Sequence, residues 1–356
     1  MKRKAIFLWI TAVVLILISA LKITLPVLKD ESVKDVIYKS VESIDASTAE
    51  FSFVVLGDNK NSVSTYGKII NEINKKPDIK FVMNTGDLVF DGSLTKFNYF
   101  LKQISKLNKP FLPVVGNHDV ADGGMNNYVD FFGPLYYSFD VGEAYFIVLD
   151  DSNEEGIDLW QMNWLKNQLE ISKRYKYTFV FLHVPLFDPR LPDEKQPGHS
   201  LKDVNNAAEI LELLKKYDVT MIFAGHIHGY FKGKWDDVPY TITGGAGAEL
   251  VGLSKEHYFY HYIVVQVNEK GVKYEVVKVD SPDFNIVDRL GAFLWLYLYS
   301  FVVINYWWIV LSIGLIIFIF LLSRDFKKQL IDVGNWLMKR KTIKFILKLF
   351  TGSSSR

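Results

Sequence analysis

The 356-residue sequence contains no cysteine. Disulfide bonds, zinc sites built from thiolates and cysteine nucleophiles are therefore excluded. Any metal ion has to be held by histidine, aspartate, glutamate or asparagine. Disorder is also excluded for most of the chain, since 49% of its residues are hydrophobic and 15% are aromatic.

Overall net charge is nearly absent, at +1, but it is unevenly distributed along the chain. Residues 1–22 carry +4 and residues 324–356 carry +7, so the stretch between them carries −10. Because nucleic-acid-binding proteins normally present a basic surface, we expect no nucleic-acid partner. An anionic substrate would have to be attracted by a bound cation rather than by the net charge of the protein.

The first of two long apolar runs is Ala5–Leu21, which has 17 uncharged residues and follows Lys2, Arg3 and Lys4. As a helix it would measure about 26 Å, close to the thickness of a bilayer core. A cleaved signal peptide is the alternative, because Ile18-Ser19-Ala20 resembles a weak cleavage site. We favour an uncleaved anchor, since the run is longer than a typical signal core.

The second apolar run lies between Arg289 and Arg324 and has 34 residues without a charge. One helix of that length would measure about 51 Å, well beyond the hydrocarbon core. We therefore expect Phe293–Tyr299 to lie on the outer membrane surface and Ile309–Leu322, with an aromatic belt at Asn305–Trp308, to span the bilayer. A steeply tilted single span is the competing interpretation.

The flanking charges predict the orientation and the organisation of the chain. Both basic ends should face the cytoplasm, which places residues 26–289 outside the cytoplasmic membrane. The tail is expected to be either a basic amphipathic helix on the inner leaflet or a solvated stop-transfer segment. The predicted parts are a transmembrane anchor or signal peptide at 1–25, a linker at 26–49, a globular domain at 50–283, an interfacial segment plus transmembrane helix at 290–323, and a basic cytoplasmic tail at 324–356.

Strands and helices alternate in the globular domain. Short β-branched or aromatic runs predict buried strands, and apolar residues at helical spacing predict helices between them. The strands are expected at 51–56, 80–85, 110–115, 145–149, 178–182, 220–224, 238–243, 259–267 and 272–279, and the helices at 65–76, 97–107, 159–171 and 205–217. This order predicts an α/β fold, a β-sandwich with a mixed sheet region flanked by helices.

Polar residues follow directly after the carboxyl ends of five of these strands. They are Asp58, Asp87, Asn117, His118, His183, His226 and His228. Since ligands of open α/β sheets bind at that edge, we expect these side chains to meet. A donor set of this kind without thiolate suits Mn, Fe, Zn or Mg. One carboxylate can bridge two ions about 3.5–4 Å apart, a shared water can attack a phosphoryl group as hydroxide, and an imidazole can protonate the leaving oxygen.

The sequence resembles the calcineurin-like metallophosphoesterases over about residues 50–280. The resemblance is carried by five short segments in the family order, each at a strand end. They are Gly57-Asp58-Asn59-Lys60, Gly86-Asp87, Gly116-Asn117-His118-Asp119, His183-Val184-Pro185 and Gly225-His226-Ile227-His228. The resemblance implies the fold of that family for the domain at 50–283 and a pair of divalent metal ions as cofactor.

The same resemblance implies a role for each polar residue of these segments. Asp58 and His228 would hold the first metal ion, and Asp87 would bridge the two ions. The second site would be completed by Asn117, His183 and His226. His118 would be the general acid, or would stabilise charge on the leaving oxygen, and Asp119 would orient it.

One departure from the family pattern concerns the first metal site. Many members have Asp-x-His in the first segment, whereas here the third position is Lys60. A protonated ammonium group has no lone pair and cannot coordinate a metal ion. Either water, Asn59 or Asn61 fills the gap, or the first site is weak, or one metal ion alone binds firmly. We favour a complete or nearly complete pair in which Lys60 contacts the substrate phosphate or a ligand carboxylate.

The predicted function is that of a membrane-anchored, metal-dependent hydrolase of phosphate mono-, di- or pyrophosphate esters. Lipid-linked phosphates are candidate substrates because the domain is tethered to a bilayer, and a soluble ester is the alternative. His199, in a proline-containing loop after His183, is either a substrate contact or an ordinary loop histidine. The rival function is a catalytically degenerate extracytoplasmic sensor of metal or phosphate.

Overall fold

The structure is a computed structural model that describes residues 2–24, 34–191, 198–281, 286–321 and 331. The chain divides into two compact units. One contains the first helix and the last long helix, and the other contains the described residues from 34 to 300. Apart from Ile331, the predicted basic tail at 324–356 lies outside the described residues.

The structure has helices over the following residues. They are α1 (Lys2–Thr24), α2 (Val36–Ser43), α3 (Ser64–Asn74), α4 (Leu94–Ile104), α5 (Asn117–Val120), α6 (Met125–Phe132), α7 (Leu159–Ser172), α8 (Val204–Lys216), α9 (Ile286–Leu294) and α10 (Ser300–Leu321). A 3₁₀ turn at Ala121–Gly123 separates α5 from α6. A π-helical turn at Trp295–Tyr299 joins α9 to α10, so the chain is helical from Ile286 to Leu321.

Two of the helical stretches are long and apolar enough to cross a membrane, by length and composition. They are Ile6–Ile23 and Leu290–Leu321. The helices α1 and α10 pack against each other, with the rings of Trp9 and Phe318 5.0 Å apart. Gly314 lies against α1, which is typical of close packing between apolar helices.

The strands form two mixed sheets. They are β1 (Phe51–Leu56), β2 (Ile79–Asn84), β3 (Phe111–Pro113), β4 (Tyr137–Val141), β5 (Ala144–Val148), β6 (Tyr177–Phe181), β7 (Met221–Ala224), β8 (Tyr230–Trp235), β9 (Val238–Thr243), β10 (His261–Asn268) and β11 (Gly271–Lys278). One sheet has the order β11-β10-β1-β2-β3, and the other has the order β4-β5-β6-β7-β9-β8. In the first sheet β1, β2 and β3 are parallel, and in the second β5, β6, β7 and β9 are parallel. The predicted α/β fold with a mixed sandwich is therefore confirmed.

Several elements were not predicted from the sequence. The interval 36–43, assigned to a linker, forms α2, whose Ile37 is buried in the core and whose Ser40 hydroxyl accepts a hydrogen bond from the amide of Phe111. The aromatic residues between 128 and 137 belong mostly to the buried faces of α6 and β4, where their rings pack on α4 and between the sheets.

The core between the two sheets is built mainly from phenylalanine. The ring of Phe53 on β1 lies 5.4 Å from that of Phe146 on β5 and 5.5 Å from that of Phe179 on β6. All three side chains are fully buried. A second core, on the other face of the second sheet, is covered by α7 and α8. These contacts fix both sheets so that the carboxyl ends of their parallel strands meet.

Replacing Phe146 with alanine tests this packing. We expect the Phe146→Ala variant to lose about 3–5 kcal/mol of unfolding free energy, because a large cavity would open between the sheets. Urea unfolding of the purified chain in detergent, followed by near-ultraviolet circular dichroism, measures the change. Trp160→Ala is the control, since the Trp160 side chain is 82% exposed and its loss should change stability by less than about 0.5 kcal/mol. Equal effects of the two substitutions would contradict the assignment of the core.

Candidate metal centre

The seven polar residues expected to meet lie around one rim of the sandwich. Asp58 follows β1, Asp87 follows β2, and the Asn117-His118 pair begins α5 after β3. The other sheet contributes His183 after β6, and His226 and His228 after β7. Strands of both sheets therefore deliver side chains to a single site.

The backbone at this rim is held in an unusual conformation. Asp58, Asp87 and His226 have φ angles of 57°, 55° and 66°, in the left-handed region. Residues other than glycine rarely adopt it, at a cost of roughly 1–3 kcal/mol each. Such conformations are typical of functional sites, where they direct side chains toward a common point.

Glycines precede these ligands because the loops approach one another closely. Gly86 has a φ of 99°, and a Cβ atom there would lie 2.6 Å from the His183 ring. A Cβ atom on Gly116 would lie 2.4 Å from a carboxylate oxygen of Asp87. A larger residue at either position would push neighbouring strand ends apart.

Four residues converge on one side of the rim, and we call them the second ligand set: Asp87, Asn117, His183 and His226. The Nε2 atom of His183 lies 2.9 Å from Asn117 Oδ1, 3.3 Å from Asp87 Oδ1 and 3.3 Å from His226 Nδ1. His183 Nδ1 faces the carbonyl oxygen of Thr85 at 2.8 Å and must carry the ring proton in the neutral form. The lone pair of Nε2 therefore faces two oxygen atoms that also have no proton.

The amide of Asn117 is fixed in the orientation that this set needs. Its Nδ2 donates a hydrogen bond to Glu154 Oε1 at 2.8 Å, which leaves Oδ1 directed toward His183. Acceptors that face acceptors repel one another unless a cation lies among them. The donor set consequently fits a divalent metal ion.

Asp58, Asp87 and His228 form the first ligand set, and their ligand atoms lie within 4.8 Å of one another. His228 Nδ1 faces the Glu249 carbonyl oxygen at 2.8 Å, so Nε2 holds the lone pair. That lone pair faces Asp58 Oδ1 at 3.5 Å. The same conflict between acceptors arises here, and a cation would resolve it.

Burial decides the charge of these groups. It lowers the pKa of His226 to about 2 and that of His228 to about 4, so both imidazoles are neutral at pH 7, the form that binds metal ions. Burial, together with the charge of Asp87, raises the pKa of Asp58 well above its usual range. Burial also opposes ionisation of Asp87, but its neighbours His183 and Lys60 more than compensate and lower its pKa to about 2.

Lys60 is buried at the first ligand set. Its Nζ lies 3.6 Å from Asp87 Oδ2 and 3.1 Å from His118 Nε2. The expected contact of Lys60 with a ligand carboxylate is therefore present. The side-chain oxygens of the two asparagines proposed to fill the gap have other partners, since Asn59 Oδ1 accepts from the Asn84 amide group and Asn61 Oδ1 from the backbone amide of Phe90.

The imidazole of His118 is oriented by a backbone carbonyl group. Its Nδ1 lies 2.7 Å from the oxygen of Phe90, whereas the Asp119 carboxylate accepts hydrogen bonds from the amides of Leu88, Val89 and Gly116. The role expected for Asp119 is corrected accordingly: it fixes the loops that carry Asp87 and Asn117. The hydrogen bonds of its carboxylate go to three backbone amides, and the His118 ring is held by the Phe90 carbonyl oxygen.

His199 lies in the same pocket as the ligands. Its ring stacks on that of His226 with centroids 4.1 Å apart, and its amide donates to Asp188. Asp188 also binds Arg190 through two hydrogen bonds, of 2.8 and 2.7 Å. The cavity, about 480 Å³, is lined in part by Lys60, Arg190 and Lys202.

Sequence reasoning missed four residues of this pocket: Glu154, Arg190, Lys202 and Glu249. A signal for Glu154 was present, because an acidic loop follows β5 at the same edge as the ligands. Arg190, Lys202 and Glu249 lie in longer loops whose paths local sequence does not indicate.

Comparison with known proteins relates the chain to phosphoesterases. The family model for calcineurin-like phosphoesterases matches residues 51–230, about half of the chain. The mouse serine/threonine-protein phosphatase CPPED1 is 29% identical over 201 residues, which are 51% of this chain and 63% of the mouse protein. A 3',5'-cyclic adenosine monophosphate phosphodiesterase, CpdA from Haemophilus influenzae, is 26% identical over 51% of this chain and 67% of its own length.

The comparison with solved structures agrees with the match to the family model. Purple acid phosphatase PPD1 from yellow lupin seeds superimposes with a TM-score of 0.54 at 17% identity, covering 69% of this chain and 56% of the lupin chain. This likeness shows a shared fold. The matched residues 51–230 include every member of both ligand sets. The chain belongs to the calcineurin-like phosphoesterase family.

Proposed function

We propose that this protein is a metal-dependent hydrolase of phosphate esters that is anchored in a membrane by its terminal helices. The observation that carries the proposal is the convergence of carboxylate, imidazole and amide groups on two points that share Asp87. A cation at each point would bind all of them. Mono-, di- and pyrophosphate esters are all substrate candidates, because the metal centre alone does not select among them.

The first ligand set would hold one divalent ion and the second ligand set another, with Mn, Fe, Zn and Mg as candidates. When bound, such ions would supply Lewis acidity for the phosphoryl group and an activated water. The chain itself supplies the positions: both sets are buried, and the histidines are kept neutral and ready to bind.

His118 is the proposed general acid. Because Nδ1 donates to the Phe90 carbonyl oxygen, the proton for a leaving oxygen has to be delivered from Nε2. In this structure Nε2 faces the ammonium group of Lys60, which can only donate, so Lys60 has to turn to the substrate phosphate before Nε2 can carry that proton. We assign to Lys60 the binding of a phosphate oxygen, and to Arg190 and Lys202 the attraction of further negative charge into the pocket.

Membrane anchorage is supported by the two apolar helical stretches and by the basic residues that flank them. The positive-inside rule would put the catalytic domain on the extracytoplasmic side and the tail in the cytoplasm. Lipid-linked and soluble phosphate esters are then both accessible substrates. The second candidate function, a sensor without turnover, is favoured by one observation: the charge of Lys60 disfavours a cation in the first ligand set.

Removing the metal ions tests the proposal. The full chain in detergent would be stripped with a chelator and titrated with Mn²⁺, and nitrophenol release would be followed from paired mono- and diester substrates. We expect turnover to depend on metal and to fall at least about 100-fold in His226→Ala, because that substitution removes a ligand rather than a supporting group. Tight Mn²⁺ binding without turnover on either ester would reject the hydrolase in favour of the sensor.

Substitution of Lys60 tests two proposed effects of its charge, one on metal affinity and one on phosphate binding. In Lys60→Met we expect Mn²⁺ to bind the first ligand set more tightly, since a buried positive charge is gone, while kcat falls roughly 10–100-fold with the loss of the phosphate contact. Titration calorimetry and steady-state kinetics measure the two effects. Lys96→Met is the control, because Lys96 pairs with Asp91 and does not line the pocket. A rise in kcat would show that Lys60 suppresses turnover, as the sensor hypothesis requires.

Glu154 is predicted to act on the metal site through Asn117. Glu154→Ala should weaken Mn²⁺ binding about 10-fold, because the amide of Asn117 would be free to turn its nitrogen toward the metal. Glu154→Gln should recover most of the affinity, since its amide oxygen can still accept from Nδ2. Glu155→Ala is the matched control, as the Glu155 side chain is 63% exposed. No recovery in the glutamine variant would mean that the charge of Glu154 matters rather than its hydrogen bond.

A further inference from the structure

The helical segment Ile286–Ser300 borders the catalytic pocket. The ring of Tyr297 lies 5.4 Å from that of Phe90, whose carbonyl oxygen holds His118. Tyr297 also lies near Glu249, which lines the pocket together with His228. Tyr297 therefore lies close to the residue that holds the proposed acid and to a residue of the pocket wall.

The rest of this segment leaves a large apolar surface uncovered. Leu296 is buried, and Tyr297 contacts Phe90 of the domain. Other side chains of the segment are exposed, and the loop that follows Glu249 adds two more exposed apolar residues, of which Val251 lines the pocket. We call the following six residues the apolar rim: Val251, Leu253, Phe293, Leu294, Trp295 and Leu298. Each is between 49% and 73% exposed.

Exposed apolar patches of this kind mark an interaction surface, because water disfavours them. The occupant follows from the chain itself. The rim helix continues without interruption into Phe301–Leu321, and Leu290–Leu321 together have the composition of a membrane span. At about 48 Å this stretch exceeds the hydrocarbon core, so roughly its first third is left for the interface. Aromatic residues such as Trp295 and Tyr299 are typical of that zone.

Resting on the proposed function, we propose that the apolar rim docks on the lipid surface and that the substrate is a phosphate ester carried by a membrane lipid. The pocket is suited to the negatively charged phosphate headgroup, since the cationic residues Lys60, Arg190 and Lys202 line it. A lipid headgroup can enter the pocket while its acyl chains stay in the bilayer. Val251 belongs to both the pocket and the apolar rim, because it lines the pocket and is 63% exposed.

Leu253→Asp is the test, since Leu253 is 73% exposed and does not line the pocket. The full chain would be reconstituted in phosphatidylcholine vesicles that contain phosphatidic acid as monoester or phosphatidylinositol as diester. Phosphate or headgroup release would be compared with nitrophenol release from a soluble ester. Leu159→Asp is the matched control, because Leu159 is 74% exposed, begins α7 and is neither a residue of the apolar rim nor one that lines the pocket.

We expect Leu253→Asp to lower lipid turnover about tenfold, because a charge is disfavoured at the apolar interface, and to leave soluble-ester turnover within twofold. Unchanged soluble turnover also shows that the variant is folded. An equal loss in Leu159→Asp, or no loss in Leu253→Asp, would overturn the docking of the rim. Soluble turnover by the unaltered chain without any lipid turnover would overturn this inference alone, whereas no turnover on either substrate would overturn the proposed function as well.

Discussion

The arrangement of the site follows from one electrostatic conflict: two buried carboxylates and three neutral imidazoles present their lone pairs to one another. Asp87 lies in the middle of this cluster, within reach of His183 and Lys60. In a medium of low dielectric constant such a cluster is unfavourable unless positive charge lies among the acceptors. Lys60 supplies one such charge, and divalent ions at the two ligand sets would supply the rest.

Bringing these groups together requires strained backbone conformations and closely packed loops. Three of the ligands have left-handed φ angles, and two glycines allow neighbouring loops to approach to within contact of a ligand. The phenylalanine core between the sheets keeps the strand ends in register, so the ligands cannot move apart to relieve the repulsion. A site held this way is preorganised for cations in advance of their binding.

Most of the ligands could be predicted from sequence because each follows a strand, and strand ends are visible in a short hydrophobic pattern. The supporting groups could not. Glu154 reaches Asn117 from a loop 37 residues away, and the Phe90 carbonyl oxygen that holds His118 has no side-chain signal at all. The family resemblance assigned Asp119 to His118, whereas in the structure its carboxylate accepts hydrogen bonds from three backbone amides. Sequence thus locates groups that strands deliver, and misses contacts that depend on the paths of loops.

Lys60 and Tyr297 both make contacts at the pocket or beside it. Lys60 stands where many members of the family have a histidine, and its charge lies next to the proposed acid. That charge would favour the binding of phosphate but disfavour the binding of a metal ion in the first ligand set. Tyr297, near the start of the second apolar stretch, contacts Phe90, whose carbonyl oxygen holds the proposed acid. Membrane attachment and catalysis would then depend on the same few contacts.

Electron paramagnetic resonance of the full chain, stripped of metal and loaded with Mn²⁺, tests the central claim most directly. The account predicts two Mn²⁺ ions per chain with a spin-coupled spectrum, since ions that share the Asp87 carboxylate would lie about 3.5–4 Å apart. A six-line spectrum of isolated Mn²⁺ at one ion per chain, or no binding at all, would contradict it.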